Sequence, residues 1–334
     1  MSFKLDELRA LTLSPASREN YSALGKHRSI VVTKELLEAM DAAPDRDSLI
    51  RCLKHLPCPI VGIGLSSEGM DVHDACDVIV PSHFDASEIL ANIDRAPLAA
   101  MILVQVLRST ETMPVADALT VESLAFATLQ AGKEHQNWLA LRRDTATTAP
   151  ESNGSPVLTE RNGDRLEIKL NRAESFNAIS VEMRDALCEA LELVVADPTI
   201  RVASISGNGR CFSIGGDLNE FGIAPDSATA HGVRSVRMPG SALSQCAERT
   251  EFNLHGACIG AGIELPAFSP RVLAAKNTYF QLPEIKFGLI PGAGGCVSIA
   301  RRIGRQRTAY FALSARKITA TKALEWGLVD AVAD

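Results

Sequence analysis

Two stretches decide the fold: GACIGAGIEL at 256–265 and FQLPEIKFGLIPGAGG at 280–295. Each places glycines in a tight turn between an apolar run and a carboxylate-bearing segment. The first begins like the dinucleotide fingerprint G-x-G-x-x-G, but its sixth position is Leu265. The second lacks the Lys-Ser/Thr pair of a phosphate-binding P-loop. Nucleotide binding is therefore excluded as the reason for the glycines, and tight turns remain as the general one. A third turn of this kind, GRCFSIGGDL, lies upstream at 209–218. Strand-like runs at 166–170 and 202–206 flank a helix that Ser180 can cap, with Met183, Leu187, Ala190, Leu191 and Val194 on one face. The second part of the chain thus alternates strands and helices.

Between residues 145 and 163 the sequence TATTAPESNGSPVLTERNG is polar, rich in turn formers and without apolar periodicity, so it reads as a linker. Upstream of it, apolar spacing predicts helices over 97–108 and 114–131, each opened by a proline. Short strands are expected at 29–33 and 59–64, with helices over 34–40 and 46–56 between them. The expected division is 1–144, a linker at 145–163, and 164–334.

The 334 residues are 46% hydrophobic and 22% charged, the balance of a globular chain with ample core. Residues 1–150 hold 14 basic against 20 acidic side chains, and residues 151–334 hold 20 of each. No basic footprint for nucleic acid exists. The longest uncharged run near the middle, 96–107, is too short to span a bilayer. Eight cysteines form no C-x-x-C pair and the N-terminus carries no apolar leader. The expectation is a cytoplasmic protein with reduced thiols, no metal site and no membrane association.

Five segments, in order and spacing, resemble the crotonase (enoyl-CoA hydratase/isomerase) family: NRAESFNAIS at 171–180, GRCFSIGGDL at 209–218, the two opening stretches, and KITATKALEWGLVDAV at 317–332. The resemblance covers about 180 residues. It implies an α/β fold, a ClpP/crotonase-like spiral of ββα turns, built into a homo-oligomer, a trimer or dimer of trimers. It implies an acyl-CoA substrate, with coenzyme A as part of that substrate and no further cofactor. The chemistry would be hydration of a 2-enoyl-CoA to a 3-hydroxyacyl-CoA, the alternatives being double-bond isomerisation, thioester hydrolysis, C–C cleavage, or acyl-CoA binding without catalysis. Charge builds on the thioester oxygen during hydration, so two fixed N–H donors must meet it. By resemblance these are the backbone amides of Gly216 and Ala261. Glu264 is implied as the base for water and Glu284 as the acid at Cα, two carboxylates whose pKa values burial can raise. Ala178, Ile214 and Gly215 match the wall that receives coenzyme A, and Gly292 matches a loop that approaches the attacking water.

The chain departs from the family in three ways, the first being that ELPAFSPRVLAA at 264–275 stands where the family usually has Cys-Asp after the second motif. Pro266 follows Glu264 by two residues, which kinks a helix begun at Gly262 but is tolerated in one begun nearer Glu264. The family's helical tail is missing after residue 334, while residues 74–143 resemble that tail. The upstream part is therefore expected to be a shortened crotonase-like domain rich in helices, whose tail serves the second part. A circular permutation, with the stretch 145–163 joining the old termini, would also place the tail upstream, and an unrelated helical module is the third possibility.

Overall fold

The computed structural model describes residues 3–65, 73–142 and 154–333. The upstream part opens with α1 (Leu5–Leu13), β1 (Ile30–Thr33), α2 (Lys34–Asp41), α3 (Arg46–His55), β2 (Ile60–Ile63) and β3 (Val78–Val80). The three strands form a parallel sheet in the order β1-β2-β3, with Ile30 opposite Ile60 and Val61 opposite Val78. Four helices follow: α4 (His83–Arg95), α5 (Pro97–Thr110), α6 (Val115–Gln130) and α7 (Lys133–Arg142). Ser82 caps α4 by accepting from the Asp85 amide. α4 and α5 meet at 109°. The break follows from Pro97, which forces Ala96 out of helical conformation and then starts α5 well. Among the described residues no single helix is long and apolar enough to cross a membrane.

The second part comprises β4 (Val157–Asn162), β5 (Arg165–Leu170), α8 (Val181–Ala196), β6 (Val202–Gly207), α9 (Ser227–Val236), α10 (Pro239–Cys246), β7 (Thr250–Leu254), β8 (Ala257–Ile259) and α11 (Ala261–Glu264). It continues with β9 (Val272–Ala275), β10 (Tyr279–Gln281), α12 (Gly295–Ile303), α13 (Arg305–Ser314), β11 (Ile318–Thr319), α14 (Ala320–Trp326) and β12 (Ala331–Ala333). Six strands form one sheet in the order β12-β9-β7-β6-β5-β4, parallel except for the β4–β5 hairpin. β8 and β10 pair in parallel, with β11 antiparallel on the far side of β10.

One expectation is corrected here. Part of the stretch 145–163 read as a linker is β4, paired residue by residue with β5. It is an edge strand in which only Val157 is buried, so it carries no apolar alternation to betray it. Residues 143–153 lie outside the described residues.

Helices α4–α6 share one apolar core with the second part. Ile89, Ile93, Leu103, Leu107 and Phe126 belong to the same buried cluster as Ile168, Leu191, Ile263 and Ile299. Polar ties cross the same boundary. Asn92 donates to the Leu313 carbonyl at 2.8 Å, and His135 Nδ1 sits 2.9 Å from the Phe287 carbonyl. Two arginines of the basic run at 301–317 make such ties, Arg305 to buried Asp77 at 3.3 Å and Arg316 to Glu88 at 2.7 Å, while Arg302 pairs with Asp330 within the second part.

Candidate active site

β8 ends at Ile259, and Gly260, with φ +50°, turns the chain into the single helical turn α11. Ala261 is the first residue of that turn, so its amide has no intrahelical partner. Pro266 lies outside α11 and opens a separate 3-10 turn, so of the two placements left open by the sequence the helix starts early and stops before the proline. The segment 213–217 runs beside this turn through single bridges Ser213–Cys258 and Ile179–Gly216. Gly215 makes the approach possible. Its φ is +85°, and a Cβ there would stand 2.6 Å from the Ile259 oxygen and 3.4 Å from the Ala261 nitrogen. The amides of Gly216 and Ala261 meet no acceptor among the described residues. Asn177 anchors the arrangement from below. Fully buried, it donates to the carbonyls of Asn208, Cys211 and Phe212, while its own carbonyl accepts from Ser213 Oγ at 2.7 Å.

Two carboxylates face this turn. Glu264 closes α11 and Glu284 opens the 3-10 turn after β10. The point where a Gly260 Cβ would stand is 2.7 Å from Glu284 Oε1 and 3.8 Å from Glu264 Oε1. Glu264 Oε2 accepts from the amides of Ala293 at 2.7 Å and Gly295 at 2.9 Å, at the start of α12. Burial raises the Glu264 pKa, and these amides, with the Arg234 charge, pull it back. Glu284 has less support, from its own backbone amide alone. Its Oε2 is buried without a partner, and burial, then the Glu264 charge, push its pKa well above the ordinary value. The pair is thereby split, Glu264 being the better anion and Glu284 the better holder of a proton.

A third carboxylate enters from the upstream part. Glu122 of α6 is fully buried and accepts from the amides of Gly294 at 2.7 Å and Cys296 at 2.8 Å. Burial, then the Glu264 charge, push its pKa up to about 8. The sequence carried one signal for it: Glu122 lies one turn after Ala118 and one before Phe126, on the buried stripe of α6.

Glu264 and Glu284 stand at a cavity of about 460 Å³ whose walls also include Gly216, Ala261, Gly292, Phe126 and Arg234, and the fully buried Glu122 is not part of its lining. Five of the residues expected from the sequence, Gly216, Ala261, Glu264, Glu284 and Gly292, therefore come together. Ala178, Ile214 and Gly215 do not line the cavity: Ala178 is buried behind it, Gly215 is the spacer described above, and Ile214 is exposed beside Phe176. Gly292 also has a packing reason that the sequence did not show. The space its Cβ would take is filled by Phe126, whose ring carbons lie 2.2 and 2.4 Å from that point. Phe126, Arg234 and Gln130 were missed, since nothing in the spacing of α6 or α9 marks them as cavity walls.

A family model, enoyl-CoA hydratase/isomerase, matches residues 160–334. The chain belongs to this crotonase family. It is 34% identical over 184 residues to the 2,3-dehydroadipyl-CoA hydratase of Escherichia coli K12, a match covering 53% of this chain and 69% of the relative. It is 33% identical over 173 residues to the 1,2-epoxyphenylacetyl-CoA isomerase of the same organism, covering 51% and 66%. A crystal structure of an enoyl-CoA hydratase/isomerase from Mycobacterium paratuberculosis superposes with a TM-score of 0.50 at 30% identity, over 54% of this chain and 74% of that one. The match spans roughly two thirds of the curated relatives' own length, and these crotonase relatives include both a hydratase and an isomerase. The helix-rich upstream segment lies outside the family domain.

Proposed function

We propose that the protein hydrates a 2-enoyl-CoA to the 3-hydroxyacyl-CoA. The observation that carries this reading is the convergence on Gly260 of buried Glu264 and half-buried Glu284, whose Oε2 is shielded from solvent, beside two amides that meet no acceptor among the described residues. Glu264, held as an anion by the amides of Ala293 and Gly295, takes a proton from water. The water oxygen bonds to C3, and the electron pair of the double bond moves through C2 onto the thioester oxygen. The amides of Gly216 and Ala261 receive that charge, a contribution worth roughly 10²–10³ in rate per donor. Glu284 then delivers its proton to C2. Water has been added, Glu264 is left protonated and Glu284 ionised, and proton exchange restores the start. Coenzyme A would lie across Phe176 and Ile214, which leave apolar surface exposed, while Ala178 and Gly215 are buried.

The test is loss of the conjugated-thioester absorbance across a panel of 2-enoyl-CoAs, with the products separated. A 3-hydroxyacyl-CoA is the expected product. Migration of the double bond without water uptake would replace the reading with isomerisation, and release of free coenzyme A would replace it with hydrolysis.

A further inference from the structure

Arg234 stands in the cavity wall with no carboxylate at ion-pairing distance among the described residues. Arg234 of α9 lies on the Phe126 ring, its guanidinium carbon 4.3 Å from the ring centre, which fixes the plane of the fork. The residue as a whole is half-buried, but its Nε and Nη2 are shielded from solvent and meet no acceptor among the described residues. Gln130, one helical turn beyond Phe126 on the same wall, has a buried and unpartnered Oε1. The nearby carboxylates do not answer these groups. Both oxygens of Glu122 accept from backbone amides, as does Glu264 Oε2, and no carboxylate among the described residues comes within ion-pairing distance of Arg234. Burial lowers the guanidinium pKa, and the charges of Glu122 and Glu264 oppose that shift. A buried guanidinium with unmade N–H bonds is costly to the fold. Its fork is shaped to take a carboxylate through two parallel N–H bonds. The amide of Gln130, whose oxygen and nitrogen can exchange places, offers a further N–H on the same wall.

We propose that Arg234 and Gln130 form a subsite for a second carboxylate carried by the acyl group, so that the protein takes the CoA thioester of a dicarboxylic acid. This deepens the hydratase reading and rests on it for the reaction, but the binding step needs no turnover. The experiment is calorimetric titration of the full chain with saturated thioesters: glutaryl-, adipyl- and suberyl-CoA against pentanoyl-, hexanoyl- and octanoyl-CoA. In at least one length-matched pair the carboxylated member is expected to bind at least ~10-fold more tightly. In Arg234→Met that member should lose at least ~10-fold more affinity than its neutral match, and Arg234→Lys, a point charge without the fork, should recover only part of the loss. No preference in any wild-type pair overturns the proposal, whether or not the variants fold. Equal losses for both members also overturn it, because Arg234 would then act on the site glutamates and not on the ligand. A protein that shows the preference yet hydrates no enoyl-CoA refutes the hydratase reading alone. One that hydrates neutral enoyl-CoAs with no carboxylate preference refutes the subsite alone.

Discussion

Gly292→Ala tests whether helix α6 of the upstream part forms the wall of the site. The added Cβ would stand 2.2 Å from Phe126 Cδ2, 2.4 Å from Cε2 and 2.8 Å from Cγ. These are rigid ring atoms, and the ring is only 7% exposed, wedged between Gly292 and the Arg234 guanidinium. The strain cannot be relieved by a side-chain tip, so the ring or the loop must move. Overpacking of this kind costs roughly 1–3 kcal/mol. For a cooperative unit of about 300 residues that is roughly 2–5 °C in melting temperature. Phe126→Ala is itself destabilising, by roughly 3 kcal/mol, but it clears the space. In that background Gly292→Ala should cost almost nothing, giving a coupling of roughly 1–3 kcal/mol where independent sites show less than about 0.5. Gly232→Ala is the control: a Cβ there meets nothing within 4 Å, so the change should be neutral or slightly stabilising. Thermal melts of the four members of the cycle, with hydration rates beside them, provide the readout. A Gly292→Ala penalty that is unchanged when Phe126 is alanine would show that the ring does not fill this space and that α6 is misplaced.

Glu264→Gln and Glu284→Gln should each fold and each lower kcat by at least ~10², with KM little changed, and near-wild-type turnover by either would remove that residue from the chemistry. Glu122 holds a proton in the folded protein up to pH about 8, whereas an exposed glutamate releases it near 4.5. That stabilisation is fully present below pH about 4.5 and is lost as pH rises through about 8. Glu122→Gln should therefore flatten the decline of melting temperature between pH 5 and pH 8, and an unaltered slope would contradict the assignment. Residues 154–334 expressed alone leave the faces that α4–α6 cover open to water, at roughly 25 cal/mol per Å² of apolar area. This fragment should be insoluble or inactive and regain activity with residues 1–144 in trans, and a stable, active fragment would refute the dependence.

Much of this was legible because burial leaves a period in the sequence. The stripe Met183, Leu187, Ala190, Leu191, Val194 is buried on α8, and Ser180 accepts from the Met183 amide as its cap. The prolines at 97 and 114 stand at the starts of α5 and α6. β4 was not legible, because an edge strand with five of its six residues exposed has no face to write into the sequence. Nor was the packing reason for Gly292, since it depends on a ring 166 positions away in the chain. Arg234 sits in a segment whose only local message is an amphipathic helix, and its lack of an ion-pairing carboxylate among the described residues is a property of the packed cavity.

The start of α12 explains why the upstream part is more than a cover. Its amides alternate between two carboxylates, those of Ala293 and Gly295 to Glu264 and those of Gly294 and Cys296 to Glu122. A helix N-terminus favours negative charge, but two buried anions on one terminus would repel. The conflict is settled by protonating one of them. Glu122, lifted to about 8, is largely neutral at pH 7 and leaves the terminus to Glu264. Glu122 is thus a positioning residue: it fastens the glycine loop that in turn orients the proposed base. Without it the amides of Gly294 and Cys296 would be buried and unpaired, at roughly 1–3 kcal/mol each, and the loop holding Glu264 would be free to rearrange. The carboxylate geometry therefore depends on a side chain encoded more than 140 residues before Glu264, in a segment outside the family domain.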